Sequence, residues 1–509
     1  MKICLPPLFA LMFIASIPSL QAQTLPWPGI KDSLYSETLK EQRKLQVILP
    51  ADYKPGSDQK FEVVYMLDGE WYMEQIPFIY NFVANSGYAP KVIFVLIPNT
   101  YVNNVNLRDR DFSPTRNNGP EHLGHADNFH AFLKNELIPY IEKKYPAGKD
   151  KTLVGSSFSG LFSVYAFVKE PGLFNAYIAS DPNLNWDNNY VSKLAAQKFD
   201  SLPDLSSTLF IAGLETSFHD MGSEQMDSVL KAKAPAGLHW KCIPYANETH
   251  YSVQHKAFYD GFRFVHFGFS KRQPEFHPAS GTVEKDKPFK GYFITDNPAL
   301  RYTTDGSEPD LTSPAVKAGE VTLTGPVRIK VKSFAHRSAY DQAFQVSLPA
   351  GEAVQPVKSK KVLKPGLNFY HYLGDWNQLP DLKKIKAKET QAIAKGFNIN
   401  KFSGEGNSVY VAEGVLEVPE DAYCVFVIES IDGSKLYFND QLVLPADNVK
   451  GNGQRSFGIP VKKGLFPIRL ELLRKKASGN VQFVIFSTQA GNDRWWQKVV
   501  VNLAADDEG

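Results

Sequence analysis

The chain has 509 residues, more than one hydrophobic core accommodates and enough for about three to four domains. Apolar residues make up 43% and charged residues 22%, the balance of an ordered globular protein, which excludes a disorder-dominated chain. With 56 basic against 54 acidic residues, a formal net charge of +2 and no long block of one sign, nothing supports a polyanion-binding surface or a nucleic-acid partner.

The first residues, "MKICLPPLFALMFIASIPSLQAQ", carry Lys2, an apolar run from Leu5 to Ile17 and small or polar residues near Ala22. This is the layout of a secretory leader over 1–23, cut near Ala22 or Gln23. Pro18 and Ser19 end the apolar run short of the roughly 20 residues that span a bilayer. The mature chain is therefore expected to be periplasmic or secreted, without a transmembrane segment. Cys242 and Cys424 then remain, far apart in sequence, so no disulfide framework is expected.

Between residues 24 and 270, apolar runs alternate with helical patterns. "FEVVYMLDG", "KVIFVLIPNT", "KTLVG", "NAYIASDP", "STLFIAGLE" and "HWKCIPY" read as buried strands. "HADNFHAFLKNELIPYIEKKY", "GLFSVYAFVKE" and "SEQMDSVLKAKA" carry apolar residues at helical spacing. The alternation predicts an α/β domain with a mostly parallel sheet covered on both faces, and sites at the carboxyl ends of its strands. After "KRQPEFHPASGTVEKDKP" the pattern turns to short alternating strands. Two all-β modules are expected, a small one over 278–348 and a larger sandwich over 366–504, joined by a Lys- and Pro-rich linker over 349–365.

Gly155-Ser156-Ser157-Phe158-Ser159 fits G-x-S-x-G except at its last position. A serine nucleophile at a strand end must turn sharply into a helix, so its neighbours must be small, which Ser159 and Gly160 satisfy. The Phe158 N–H then opens the helix, where an oxyanion can be held. A base is expected from later in the chain, and His250 lies in the polar loop after the strand "HWKCIPY". His255 follows it in the next helical pattern.

With "YMLDGEWY", "NLRDRDFSPT", "GSSFSGLFSVYAF" and "ETHYSVQHKAFYDGFRFV", the chain from Tyr35 to Phe269 resembles the esterase family of α/β-hydrolases that includes enterochelin-type esterases, feruloyl and acetyl xylan esterases and S-formylglutathione hydrolase. The resemblance implies Ser157 as nucleophile, His250 as general base, and an oxyanion hole built from Phe158 and the turn carrying Asp68, Gly69 and Glu70. For the third member it implies an acid after "STLFIAGLE", which offers Glu215 or, further on, Asp220; a Ser-His dyad or another residue is the remaining possibility. In "RDRDFSPT", Arg108 and Arg110 read either as a structural ion-pair cluster or, with Asp68, as contacts to an anionic or sugar part of a substrate.

His122, His125 and His130 read as surface histidines, because a spacing of five does not align two ligands on one helix face. No P-loop, dinucleotide fingerprint or Cys-x-x-Cys pair occurs, so no cofactor and no metal are expected. "LRYTTDGSEPDLTSP" with "VRIKVKSFA" resembles the β-module at the C-terminus of chitobiases and β-hexosaminidases. "GLNFYHYLGDWNQLPDL", "GVLEVPEDAYCVFVIESIDGSKLYFNDQLVL" and "VKKGLFPIRLELL" resemble the β-sandwich named for the anthrax protective antigen. There Ser430-Ile431-Asp432-Gly433 lacks one of the two acids that help hold calcium in carbohydrate-binding members. Tyr370, Tyr372, Trp376, Trp495 and Trp496 read as core packing, with sugar stacking as the alternative. The sequence thus predicts a secreted serine esterase acting on acylated carbohydrate, with the β-modules as scaffold or spacer and glycan contact through them as the alternative. A siderophore ester is the alternative substrate, and a glycan-binding or surface interaction protein that no longer turns over is the alternative class.

Overall fold

The computed structural model describes residues 29–358, 364–393, 407–430, 432–445, 454–475, 482–487 and 503–505. The expected leader, Trp495 and Trp496 lie outside the described residues.

The strands are β1 (Ile30–Ser36), β2 (Glu41–Ile48), β3 (Phe61–Leu67), β4 (Val92–Ile97), the short pair β5 (Tyr101–Val102) and β6 (Val105–Asn106), β7 (Ala147–Ser156), β8 (Ala176–Ser180), β9 (Thr208–Leu214) and β10 (His239–Tyr245). Among them run helices α1 (Gly69–Tyr72), α2 (Gln75–Asn85), α3 (Arg108–Phe112), α4 (Ala126–Phe132), α5 (Ile138–Lys144), α6 (Phe158–Lys169), α7 (Trp186–Lys198), α8 (Ser223–Lys233) and α9 (Ser252–Val265). A π-helical turn, Leu133–Leu137, joins α4 to α5.

The main sheet has the order β1-β2-β4-β3-β7-β8-β9-β10. Its pairings from β4 to β10 are parallel, and β2 alone runs against the rest, pairing antiparallel with both β1 and β4. Strand periodicity divides the core into two layers. Val63, Tyr65 and Leu67 of β3 join Leu153, Tyr177 and Leu209 under α4, α6, α7 and α8. Val64 and Met66 join Val154, Ile178 and Phe210 under α2 and α9. Because both faces are covered, β4, β8, nearly all of β3 and β9 and the carboxyl half of β7 are continuous buried runs.

Beyond α9 the described residues form two β regions. The smaller carries two three-stranded sheets, one of Glu275–His277, Pro288–Ile294 and Gly319–Thr324, the other of Leu300–Thr303, Val327–Ser333 and Ala343–Leu348. The larger is dominated by the long pair Ser408–Val418 and Gly464–Arg474. The two regions share a core: Phe289, Ile329 and Leu348 pack with Tyr423, Val425 and Val427. Residues 349–358, expected as linker, lie along the larger region, where the Val354 and Val357 N–H groups donate to Pro460 and Leu465 at 2.9 Å each. Tyr372 is buried, and Tyr370 and Trp376 pack against the same cluster. Cys242 and Cys424 are both free.

Candidate active site

β7 ends at Ser156 and α6 begins at Phe158, leaving Ser157 alone in the turn at φ 58°, ψ −119°. A non-glycine residue there is strained, and such strain persists only where the surroundings enforce it. They do so through backbone bonds: Ser157 N–H donates to Ser180 O at 2.8 Å, and Asn183 N–H donates to Ser157 O at 3.3 Å. A Cβ on Gly155 would stand 2.2 Å from the Ser159 carbonyl oxygen, so only glycine fits. Ser159 serves at the position where the motif has glycine because its hydroxyl turns inward. It accepts from Ser156 N–H and donates to Ser156 O, both at 2.8 Å.

His250 lies in the loop between β10 and α9, half exposed, and its Nδ1 meets Asp181 Oδ2 at 2.6 Å. Asp181 is 2% exposed, follows β8 directly and has φ 42°. Its N–H donates to Ala212 O at 2.6 Å, and its Oδ1 accepts from Leu214 N–H at 3.4 Å, so β9 fixes it from the side. A carboxylate on Nδ1 directs the other ring nitrogen, Nε2, outward as the proton acceptor. Gln254, on α9, steadies the same loop by donating to His250 O at 3.1 Å and accepting from Tyr72 Oη at 3.1 Å.

The acid expected after β9 is therefore corrected. Glu215 and Asp220 are both exposed, and the carboxylate on His250 comes from the loop after β8. The physical reason is sheet order: β8 lies between β7 and β9, so its loop stands beside the Ser157 turn. "NAYIASDPN" carried the signal, a carboxylate directly after an apolar strand. Asn183, two residues on, accepts the Ser157 hydroxyl at 3.0 Å.

Asp68, Gly69 and Glu70 form the turn from β3 into α1. Asp68 stands at φ 54°, ψ 40°, and a Cβ on Gly69 would lie 2.6 Å from Ile97 N, so the turn packs directly on the end of β4. Gly69 and Glu70 open α1 and Phe158 opens α6, positions whose N–H groups reach no carbonyl within their own helix. Asn99 locks the turn. Its amide donates to Asp68 Oδ1 at 2.8 Å and Glu70 Oε1 at 2.9 Å, and its N–H donates to Glu70 Oε2 at 3.1 Å.

Of the two readings of "RDRDFSPT", the contacts of Asp68 and Arg110 are those of the structural ion-pair cluster. Asp68 is fully buried and both its oxygens accept from Arg108, so it holds protein rather than substrate. Arg110 donates to Glu41 at 2.9 and 2.8 Å and to Asp111 at 2.8 Å, which makes it the anchor of α3 to β2. Burial pushes the Glu41 carboxyl up, but Arg110 and Arg43 together hold it down to about 2. His130 is also not a surface group: it is 3% exposed, and burial lowers its pKa.

Residues 36–256 match the family model described as "Putative esterase". This segment is an esterase domain. Residues 363–491 match the PA14 domain. The chain is 28% identical over 182 residues to the ferri-bacillibactin esterase BesA of Bacillus subtilis, covering 33% of this chain and 62% of that protein. It is 31% identical over 83 residues to the siderophore triacetylfusarinine C esterase of Aspergillus fumigatus, covering 16% and 28%. The chain thus spans less than two thirds of these relatives' own length. Among solved structures, an IroE-like serine hydrolase from Shewanella oneidensis is 32% identical, covering 46% of this chain and 79% of that one, with a TM-score of 0.42. The esterase domain comprises the whole arrangement of Ser157, Asp181 and His250 together with the Asp68–Glu70 turn.

Proposed function

We propose that this protein is a serine carboxylic-ester hydrolase and that its substrate is a siderophore ester. The observation that carries the chemistry is the His250–Asp181 contact of 2.6 Å beside a serine held at φ 58° in a strand-to-helix turn. At rest the Ser157 hydroxyl donates to Asn183, and attack requires it to leave that amide for His250 Nε2. Ser157 Oγ then bonds to the ester carbonyl carbon as His250 takes its proton, and Asp181 steadies the imidazolium. The N–H groups of Phe158 and of the Gly69–Glu70 turn receive the oxyanion. Collapse breaks the bond to the alkoxide, which leaves with the proton from His250. A water molecule repeats the sequence and frees the acid.

The substrate choice follows the relatives, whose names specify siderophore esters. Acyl groups on polysaccharides, the expectation from the accessory modules, rest on domain company alone. Export through the leader expected at 1–23 is part of the same proposal. Fluorophosphonate labelling with mapping of the adduct tests the mechanism: Ser157 is modified, and the His250→Ala protein is not. Hydrolysis rates on a siderophore ester and on an acetylated xylo-oligosaccharide then decide the substrate. Faster turnover of the oligosaccharide would return the assignment to a carbohydrate esterase.

A further inference from the structure

The candidate oxyanion pocket is built from two pieces of chain that share no covalent neighbourhood, the turn after β3 and the start of α6. One guanidinium touches both. Arg108 Nε donates to Asp68 Oδ1 at 2.7 Å and Nη2 to Asp68 Oδ2 at 2.8 Å, a two-pronged pair on a fully buried carboxylate. The same Nη2 donates to the carbonyl of Ser156, the residue before Ser157, at 3.2 Å. Its Cζ lies over the rings of Trp71, at 5.1 Å, and Phe158, at 5.9 Å. Asp68 and Trp71 bracket Gly69 and Glu70, while Ser156 and Phe158 bracket Ser157.

Arg108 is itself fixed from behind. Its N–H donates to Asn106 Oδ1 at 2.9 Å. The rest of α3 is tied to β2 by Arg110 on Glu41 and by the buried Arg43 on Asp111 at 2.7 Å. A buried ion pair is weak evidence for stability, since apolar residues of similar volume often serve the fold as well. A planar fork that meets a carboxylate on one side and a carbonyl on the other instead defines a distance between them.

We propose, on the serine-esterase reading above, that Arg108 is a positioning residue that sets the separation of the two donor arms of the oxyanion pocket, with Asp68 as its anchor. It acts on the transition state through Gly69, Glu70 and Phe158 and does not bind the substrate. Arg108→Lys keeps the charge and loses the fork; Asp68→Asn keeps the volume and loses the charge. Displacing an oxyanion donor reduces turnover by about 10- to 100-fold.

The experiment measures kcat, KM and the inhibition constant of an alkyl boronic acid, which forms a tetrahedral adduct on Ser157, for the wild type, both variants and Arg110→Lys. Thermal midpoints are recorded alongside. In Arg108→Lys and Asp68→Asn, kcat falls and the boronate binds more weakly by a similar factor, while KM barely moves. Arg110→Lys, on the same helix but off the clamp, changes neither beyond about twofold. An unchanged boronate constant in folded Arg108→Lys and Asp68→Asn, or an equal loss in Arg110→Lys, overturns the proposal and leaves a purely structural ion pair. A wild type that neither hydrolyses esters nor binds boronate overturns the esterase reading itself, and the positioning role with it.

Discussion

β3 has a carboxylate at each end, the fully buried Asp68 just past its last residue and the largely buried Glu62 near its first, and each is paired with an arginine from elsewhere in the chain. At the carboxyl end Asp68 meets Arg108 of the same domain. At the amino end Glu62 meets Arg337, which is 5% exposed and belongs to the small β region. Arg337 also donates to Thr152 Oγ1 at 3.0 Å, and Tyr340 Oη donates to Glu62 at 2.5 Å. Burial pushes the Glu62 carboxyl up, against the pull of Arg337 and Tyr340. The interaction is the same at both ends, but its consequences differ with position. At the carboxyl end it lies where strand ends meet and sites form; at the amino end it docks one domain on another.

Perturbing the two ends should separate rate from stability. The largest effect is at the site: Asp181→Asn presents an amide to His250 Nδ1, favours the wrong tautomer and lowers kcat by about 10³- to 10⁴-fold. Steady-state kinetics with unchanged thermal stability checks it. At the other end, Arg337→Ala strands Glu62 as an unpaired buried carboxylate and destabilises the fold by about 3–5 kcal/mol. Denaturant unfolding measures this, and turnover per folded molecule stays near wild type. The double change Glu62→Leu with Arg337→Met restores most of the loss, since this end asks only for good packing.

A smaller effect lies at the same junction. His336 stacks on His239 with ring centroids 4.1 Å apart and donates from Nδ1 to Phe264 O at 2.8 Å. Burial, with His239 beside it, depresses the His336 imidazole from the ordinary 6.5 to about 4. The folded state therefore binds fewer protons than the unfolded state in that interval. Stability is complete above pH 6.5 and falls as pH drops toward about 4, by on the order of 1–3 kcal/mol. Unfolding curves across this range should show the slope in the wild type and a flatter one in His336→Phe. The smallest effect sharpens the assignment of the acid: Glu215→Gln and Asp220→Asn, both exposed, leave kcat/KM within about twofold. A loss in either as large as in Asp181→Asn would return the acid to the β9 end.

The alternation of strands and helices was legible because burial on both faces of a parallel sheet writes continuous apolar runs into the chain. The turn around Ser157 was legible for a local reason too: a tight strand-to-helix junction brings the residues two positions to either side together, and Gly155 and Ser159 are small. His250 was placed by chain order, after the last strand.

Neighbours in the chain specify the α/β pattern, the strained turn, the histidine loop and the change to β structure after α9. The tertiary structure alone decided which carboxylate reaches His250, because Asp181 and Glu215 both follow apolar strands and only the placing of β8 beside β7 brings one of them to the turn. It also decided that Arg108 spans two loops and that residues 349–358 run along the larger β region. Contacts between segments distant in sequence leave no local periodicity; adjacency in the folded sheet creates them.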